Sequence, residues 1–123
     1  MNVDLMKERT QSFALRIIKL VESLPNTQTA NIVGKQLLRC GTSVGANYRA
    51  ACRGKSRADF VSKLGIVEEE ADEVIYWIEI LIKSDLIKHS KVENLLDETK
   101  QILAIIVSSI NTARGGKREE KGK

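Results

Sequence analysis

Apolar residues recur three or four positions apart through most of the chain, and short polar stretches interrupt the pattern three times. This period places the apolar side chains on one face of an α-helix. The sequence therefore predicts four amphipathic helices. Their expected bounds are Asp4 to about Ser23, about Thr29 to Arg53, Arg57 to about Ser84, and Lys91 to Ala113.

The ends of these helices are marked by residues that cap them. Asp4 can cap the first helix, and Gly54 suits the end of the second. Ser56 followed by Asp59 is typical of the start of a helix, here the third. His89 falls in the turn before the fourth helix. Because short connections make consecutive helices antiparallel, the expected fold is an all-α, antiparallel up-down-up-down four-helix bundle.

The length of 123 residues is that of one compact domain. We assign residues 1–114 to the bundle and residues 115–123, GGKREEKGK, to a disordered basic tail, because the tail has no apolar residue. The polar first ten residues do not resemble a secretory signal, and the longest apolar run, 102–107, is too short to cross a membrane. We expect a cytoplasmic protein with no membrane partner and with reduced cysteines at Cys40 and Cys52.

Charge is strongly segregated along the chain, although the net charge is only +4. Residues 35–63 contain seven cations and one acid, whereas residues 68–79 contain six acids and no cation. Such segregation is informative about partners rather than about fold.

Most of the cations in the first of these segments lie on the second helix, opposite its apolar face, in a row about 27 Å long. This basic stripe continues into the following loop and consists of Lys35, Arg39, Arg49, Arg53, Lys55 and Arg57. Arg114 and the cations of the tail could extend it. A stripe of this kind is expected where a protein contacts the phosphates of RNA or DNA. The alternatives are a solvated surface and contact with the acidic third helix of a neighbouring subunit.

Three glycines, Gly34, Gly41 and Gly45, form a line beside the apolar face of the second helix. Each glycine costs about 1 kcal/mol relative to alanine inside a helix, so a compensating contact is expected. We predict that another helix approaches closely along this line, and that Gly65 on the third helix marks a similar contact.

The third helix has more apolar surface than one bundle needs. Ile66, Tyr76, Trp77 and Ile80 lie off its inward face, among glutamates. Large apolar side chains amid charge are typical of contact surfaces, so these four predict an interface between subunits. The alternative is a broad buried face within one bundle.

Residues for catalysis or metal binding are scarce. The chain has one histidine and no Glu-x-x-His pair, so the acidic run EEEADE is interpreted as a solvated or interface-lining face. No glycine-rich nucleotide-binding motif, nucleophile elbow or Cys-x-x-Cys is present. We therefore expect no metal, no cofactor and no enzymatic activity.

The run QLLRCGTSVGANYRAACRGKSRADFVSKLGIVEEEADEVIYWIEIL resembles the 23S rRNA intervening-sequence protein family, which consists of small bacterial four-helix bundles. The resemblance rests on Arg39, Ser43, Val44, Ala46, Asn47, Arg53, Ser56, Phe60 and Leu64. Many members have Ala-Glu-Gly where this chain has Arg49-Ala50-Ala51, so no role is carried over for a glutamate there.

The resemblance also extends to the accessory variability determinant of diversity-generating retroelements. That protein forms a ring-like pentamer whose basic surface engages nucleic acid and a reverse transcriptase. The resemblance therefore implies a homo-oligomer, most simply a pentamer, with RNA or DNA as partner. The leading hypothesis is a non-enzymatic bundle that binds nucleic acid through the basic stripe. The alternative is an interaction scaffold, or an accessory subunit of a reverse transcriptase or other protein, without direct nucleic-acid binding.

Overall fold

A computed structural model of the chain describes residues 2–122, with side chains through residue 115. It contains four helices, α1 (Val3–Glu22), α2 (Gln28–Cys52), α3 (Arg57–Lys83) and α4 (His89–Gly122), and no strand in the described residues. The backbone of α4 thus continues beyond its predicted end at Ala113. The side chains of the predicted tail lie outside the described residues from residue 116 onward, so the division into bundle and tail stays a prediction.

The starts of α1 and α3 test the capping residues predicted from the sequence. The Asn2 side chain accepts a hydrogen bond from the amide of Leu5 at 3.1 Å, so Asn2, not Asp4, caps α1. Asp4 lies in the first turn, where its charge still favours the positive end of the helix dipole. The prediction for α3 is confirmed, because the Ser56 hydroxyl accepts from the amide of Asp59 at 3.0 Å.

The turn between α2 and α3 is tight. A Cβ on Gly54 would lie 3.0 Å from the carbonyl oxygen of Ala51 and 3.1 Å from the amide nitrogen of Phe60. Gly54 has no positive φ, so this close approach, and not a left-handed conformation, is what requires glycine. The turn after α3 is also short, and His89, predicted to lie in it, is instead the first residue of α4. There its imidazole lies 3.6 Å from the carboxylate of Glu93, one helical turn ahead.

The helices pack in chain order, with α1 against α2, α2 against α3 and α3 against α4, and a smaller contact between α1 and α4 closes the bundle. This confirms the predicted antiparallel four-helix bundle. Arg9 supports the smaller contact, because its guanidinium makes a bidentate pair with Glu98 at 2.6 and 2.8 Å and also donates to Gln101.

Apolar side chains from all four helices form one core. Its largest fully buried members are Tyr48, Phe13, Ile17, Leu37, Leu64, Ile78, Leu81, Ile102 and Ile106. Burial of one such side chain is worth about 1.5–3 kcal/mol. Among residues 2–115 the buried polar side chains are those of Thr10 and Thr99, and their hydroxyls donate to the carbonyls of Met6 and Leu95 one turn earlier. The core thus contains no unpaired side-chain polar atom in the described residues.

The glycine line of α2 faces α1. A Cβ on Gly41 would lie 2.7 Å from Cγ2 of Ile17, and one on Gly45 would lie 3.1 Å from Oγ1 of Thr10. Gly34 is nearly as close to α1, at 3.2 Å from a valine methyl group. These distances confirm that the glycines permit close approach of another helix.

Gly65 does not mark such a contact, so that prediction was wrong. A Cβ on Gly65 would meet no atom within 4 Å. The reason is its position on α3, where the backbone borders an open groove whose other side is formed by Leu103 and Val107 of α4.

Candidate nucleic-acid interface

All six side chains of the basic stripe are exposed, and the fold divides them into two groups. Four lie where α2 ends and α3 begins, and we call them the basic corner: Arg49, Arg53, Lys55 and Arg57. Arg49 and Arg53 are one helical turn apart, about 6 Å along α2. Lys35 and Arg39 lie nearer the start of α2, and Lys35 is about 21 Å from Arg49 along the helix axis.

The backbone of the corner is held by Asp59. Its carboxylate accepts from the amide of Lys55 at 3.0 Å and from Nζ of Lys63 at 3.1 Å. The bond from the Lys55 amide, followed by the bond from Lys63, lowers the pKa of Asp59 below its ordinary value. The nearest acid is therefore engaged with the turn itself, and the side chains of Lys55 and Arg57 extend into solvent.

The cations of the corner have no acidic partner within the described part of the chain. Among residues 2–115, no carboxylate oxygen lies within ion-pair distance of Arg49, Arg53, Lys55 or Arg57. Unpaired cations this close together raise the local positive potential and attract polyanions.

The carboxyl-terminal part of α4 reaches the same corner. Arg57 and Arg114 both line a shallow cavity of about 480 Å³, together with Val61 and Ala113. Arg114 therefore adds a fifth exposed cation to the region. The tail cations Lys117 and Arg118 lie outside the described side chains.

Arg39 has a different environment from the corner cations. Its guanidinium pairs with Glu70 at 3.1 Å and with Glu73, both on α3, and Glu73 also accepts from the indole nitrogen of Trp77 at 3.1 Å. The hydrogen bond from Arg39, and then the bond from Trp77, lowers the pKa of Glu73. Arg39 thus joins α2 to α3. Lys35 has no ion-pair partner among the described residues.

The four predicted interface residues on α3 fall into two classes. Ile66 and Tyr76 are 44% and 55% exposed, as an interface requires before assembly. Trp77 and Ile80 are only partly exposed and pack against the core, as the alternative of a broad buried face predicts. The rings of Tyr76 and Trp77 meet edge to face, with centroids 5.0 Å apart.

Other candidate chemistry is limited in the described residues. Both cysteines are free, and burial raises the pKa of the Cys40 thiol to about 12, so that thiol is protonated at neutral pH. No three metal-ligating side chains come together in the part of the chain that the structure describes. Across that same part, every helix is either too short or too polar to span a lipid bilayer.

Comparison with known proteins identifies the family of this chain. The family model described as 23S rRNA-intervening sequence protein matches residues 5–108. No protein of curated function matches the chain. A crystal structure of a protein of unknown function from the S23 ribosomal protein family of Bacteroides thetaiotaomicron VPI-5482 is similar, with a TM-score of 0.84 and 39% sequence identity. The match covers 91% of this chain and 100% of that chain. The chain therefore belongs to the 23S rRNA-intervening sequence protein family.

Proposed function

We propose that this protein is a non-enzymatic, homo-oligomeric bundle that binds the phosphate backbone of RNA or DNA through the basic corner. The observation that carries this proposal is the group of four exposed cations without an acidic partner among the described residues, extended by Arg114 of α4. Lysine and arginine next to phosphates displace condensed counterions, which supplies most of the free energy of sequence-independent binding.

Recognition of particular bases is not part of the proposal. Proteins that read single strands stack the bases on exposed aromatic rings. Tyr48, the nearest aromatic residue of α2, is 1% exposed, and Phe60 is partly buried beneath the turn. The corner therefore offers charge without stacking, and RNA and DNA of unrelated sequence should bind with similar affinity.

Assembly would bring several corners together, and exposed Ile66 and Tyr76 support it. We expect light scattering of the purified chain to give a multiple of 13.7 kDa, most simply five copies. Replacing both residues with serine should lower the mass of the assembly, because the substitutions remove exposed apolar area from the proposed contact between subunits. A monodisperse monomer of the unaltered chain at micromolar concentration would contradict assembly without affecting the proposal for the corner.

The corner is tested by direct binding. The purified chain should carry nucleic acid, seen as excess absorbance at 260 nm that nuclease or high salt removes. After that removal, fluorescence anisotropy with labelled single-stranded RNA and DNA should show binding that weakens in R53Q/R57Q. The control is K83Q/K100Q, which removes the same charge from exposed positions outside the corner. Equal weakening in both variants would mean that net charge, not the corner, binds nucleic acid.

A second function, an interaction scaffold, is favoured by one observation. The pairing of Arg39 with Glu70 and Glu73 demonstrates that the charged surfaces of α2 and α3 fit each other within one chain. The basic corner could meet the remaining acids of α3 in a neighbouring copy, or an acidic protein, in the same way. A chain that assembles but neither retains nor binds nucleic acid would support this scaffold, including the role of accessory subunit to a reverse transcriptase.

A further inference from the structure

The end of the bundle opposite the basic corner contains a cleft that the proposed function does not use. It lies between the last turn of α1, the α3–α4 turn and the first turns of α4, and its volume is about 630 Å³. Clefts of roughly 300–1,000 Å³ are typical of small-molecule sites. We call it the end cleft.

The floor of the end cleft is apolar. Leu20, Val92 and Leu95 are almost fully buried and form its base, while Leu86 and Ile87 of the turn are partly exposed at its side. An apolar ligand segment lying on this floor would remove these side chains from water, which favours binding in proportion to the area covered.

The rim of the end cleft is cationic. Arg16 and Lys19 of α1 and Lys91 of α4 line it, all three are exposed, and none has an ion-pair partner among the described residues. Among the described residues, no acidic side chain lines the end cleft. The nearest acids in sequence, Glu22, Asp85 and Glu93, are exposed outside the lining.

The helix ends that meet at the cleft favour an anion as well. The amino-terminal turn of α4 contributes Lys91. The amino-terminal end of a helix, where the backbone amides are free, carries a partial positive charge. The carboxyl-terminal carbonyls of α1 would repel an anion, but Ser23 engages two of them. Its amide donates to Lys19 and Leu20 at 3.1 and 3.0 Å, and its hydroxyl donates to Leu20 at 2.7 Å.

From the cationic rim and the apolar floor together, we infer that the end cleft binds a small amphipathic carboxylate, with its headgroup between Arg16, Lys19 and Lys91 and its hydrocarbon body on the leucine-rich floor. A purely polar anion would leave the floor exposed to water, and an uncharged hydrocarbon would leave the rim without a counterion. This inference is independent of nucleic-acid binding, because the two regions lie at opposite ends of the bundle.

Decanoate is a suitable probe, with decanol as its uncharged counterpart. We expect decanoate to bind the full chain with a dissociation constant of roughly 1 mM or below, given its size. In methyl NMR spectra of the chain labelled at isoleucine and leucine, the shifts should concentrate on Leu24, Leu86 and Ile87. Decanol should bind more weakly, because it cannot pair with the rim.

The double variant R16Q/K91Q should weaken decanoate binding by about tenfold, since each exposed ion pair accounts for a factor of a few. K7Q/K100Q is the matched control, because it also removes two cations, one from α1 and one from α4, and neither residue is part of the lining. The inference is overturned if decanol binds as tightly as decanoate, if the shifted methyl groups lie elsewhere, or if both variants weaken binding equally. The comparison of the two probes uses the unaltered chain, so it does not depend on folding of a variant.

Discussion

Close packing of α1 against α2 predicts that the same substitution will have opposite effects at two glycines. Gly41→Ala places a Cβ 2.7 and 2.8 Å from two carbon atoms of Ile17 and 3.1 Å from its Cβ. Ile17 is fully buried and branched at Cβ, so it has little freedom to move aside. Gly65→Ala places a Cβ where no atom lies within 4 Å.

The expected magnitudes follow from these distances. Alanine is favoured over glycine inside a helix by about 1 kcal/mol, and Gly65→Ala should stabilise the fold by this amount. At Gly41 the same gain is opposed by overpacking, which typically costs about 1–3 kcal/mol. We therefore expect Gly41→Ala to lower the free energy of unfolding by about 1 kcal/mol, so that the two variants differ by about 2 kcal/mol.

Urea denaturation followed by circular dichroism at 222 nm measures this difference. Protein concentration should be held constant, because assembly would make stability depend on it. In thermal scans the two variants should differ by about 8 °C, at about 4 °C per kcal/mol for a chain of this size. If Gly41→Ala stabilises the fold as much as Gly65→Ala does, α1 does not approach the glycine line closely and the packing described above is wrong.

Two further predictions concern Arg39 and the cysteines. Arg39 lowers the pKa of Glu73 below its ordinary value of 4.5, so the ion pair stabilises the fold above pH 4.5. The difference in stability between the unaltered chain and Arg39→Gln should therefore close as the pH falls below 4.5. Urea midpoints measured at pH 7 and pH 3.5 check this, and a gap that widens in acid would contradict it. Labelling of the native chain with a maleimide at pH 7 should modify Cys52 and spare Cys40, because Cys40 is buried and protonated. Mass spectrometry should show one label in the native chain and two in denaturant, and rapid native labelling of Cys40 would contradict the packing.

Much of the fold was predictable from the sequence because helix periodicity and local capping are encoded over a few residues. The Ser56 cap and the glycine line of α2 are signals of this kind, and both are confirmed. Gly65 is also a glycine inside a helix, but no other helix packs closely against it. Whether a neighbouring helix lies opposite a glycine depends on the packing of the whole bundle, which the sequence of one helix does not specify. Asn2 was missed because Asp4 is also a good cap, and the choice depends on backbone geometry at the first turn.

The candidate site was predictable in composition but not in arrangement. The sequence identifies the six cations of the stripe, yet it treats Arg39 as equivalent to the others. Arg39 and Glu70 are almost equally far in sequence from the turn at Lys55, and in an antiparallel pair of helices such residues face each other. That symmetry could have revealed the ion pair. The end cleft was not predictable, because its rim combines Lys19 of α1 with Lys91 of α4, which only the closed bundle brings together.

The dependence of nucleic-acid binding on salt tests the basic corner most directly. Each phosphate contact with a single strand contributes about 0.7 to the slope of log affinity against log salt concentration. Changing Arg49, Arg53 and Arg57 to glutamine should therefore lower the slope by about 2 for each protomer engaged, on RNA and DNA alike. The control K83Q/K88Q/K100Q, which has the same net charge and changes exposed lysines outside the corner, should keep nearly the full slope. If the corner variant instead binds with unchanged affinity and slope, the corner does not contact phosphate.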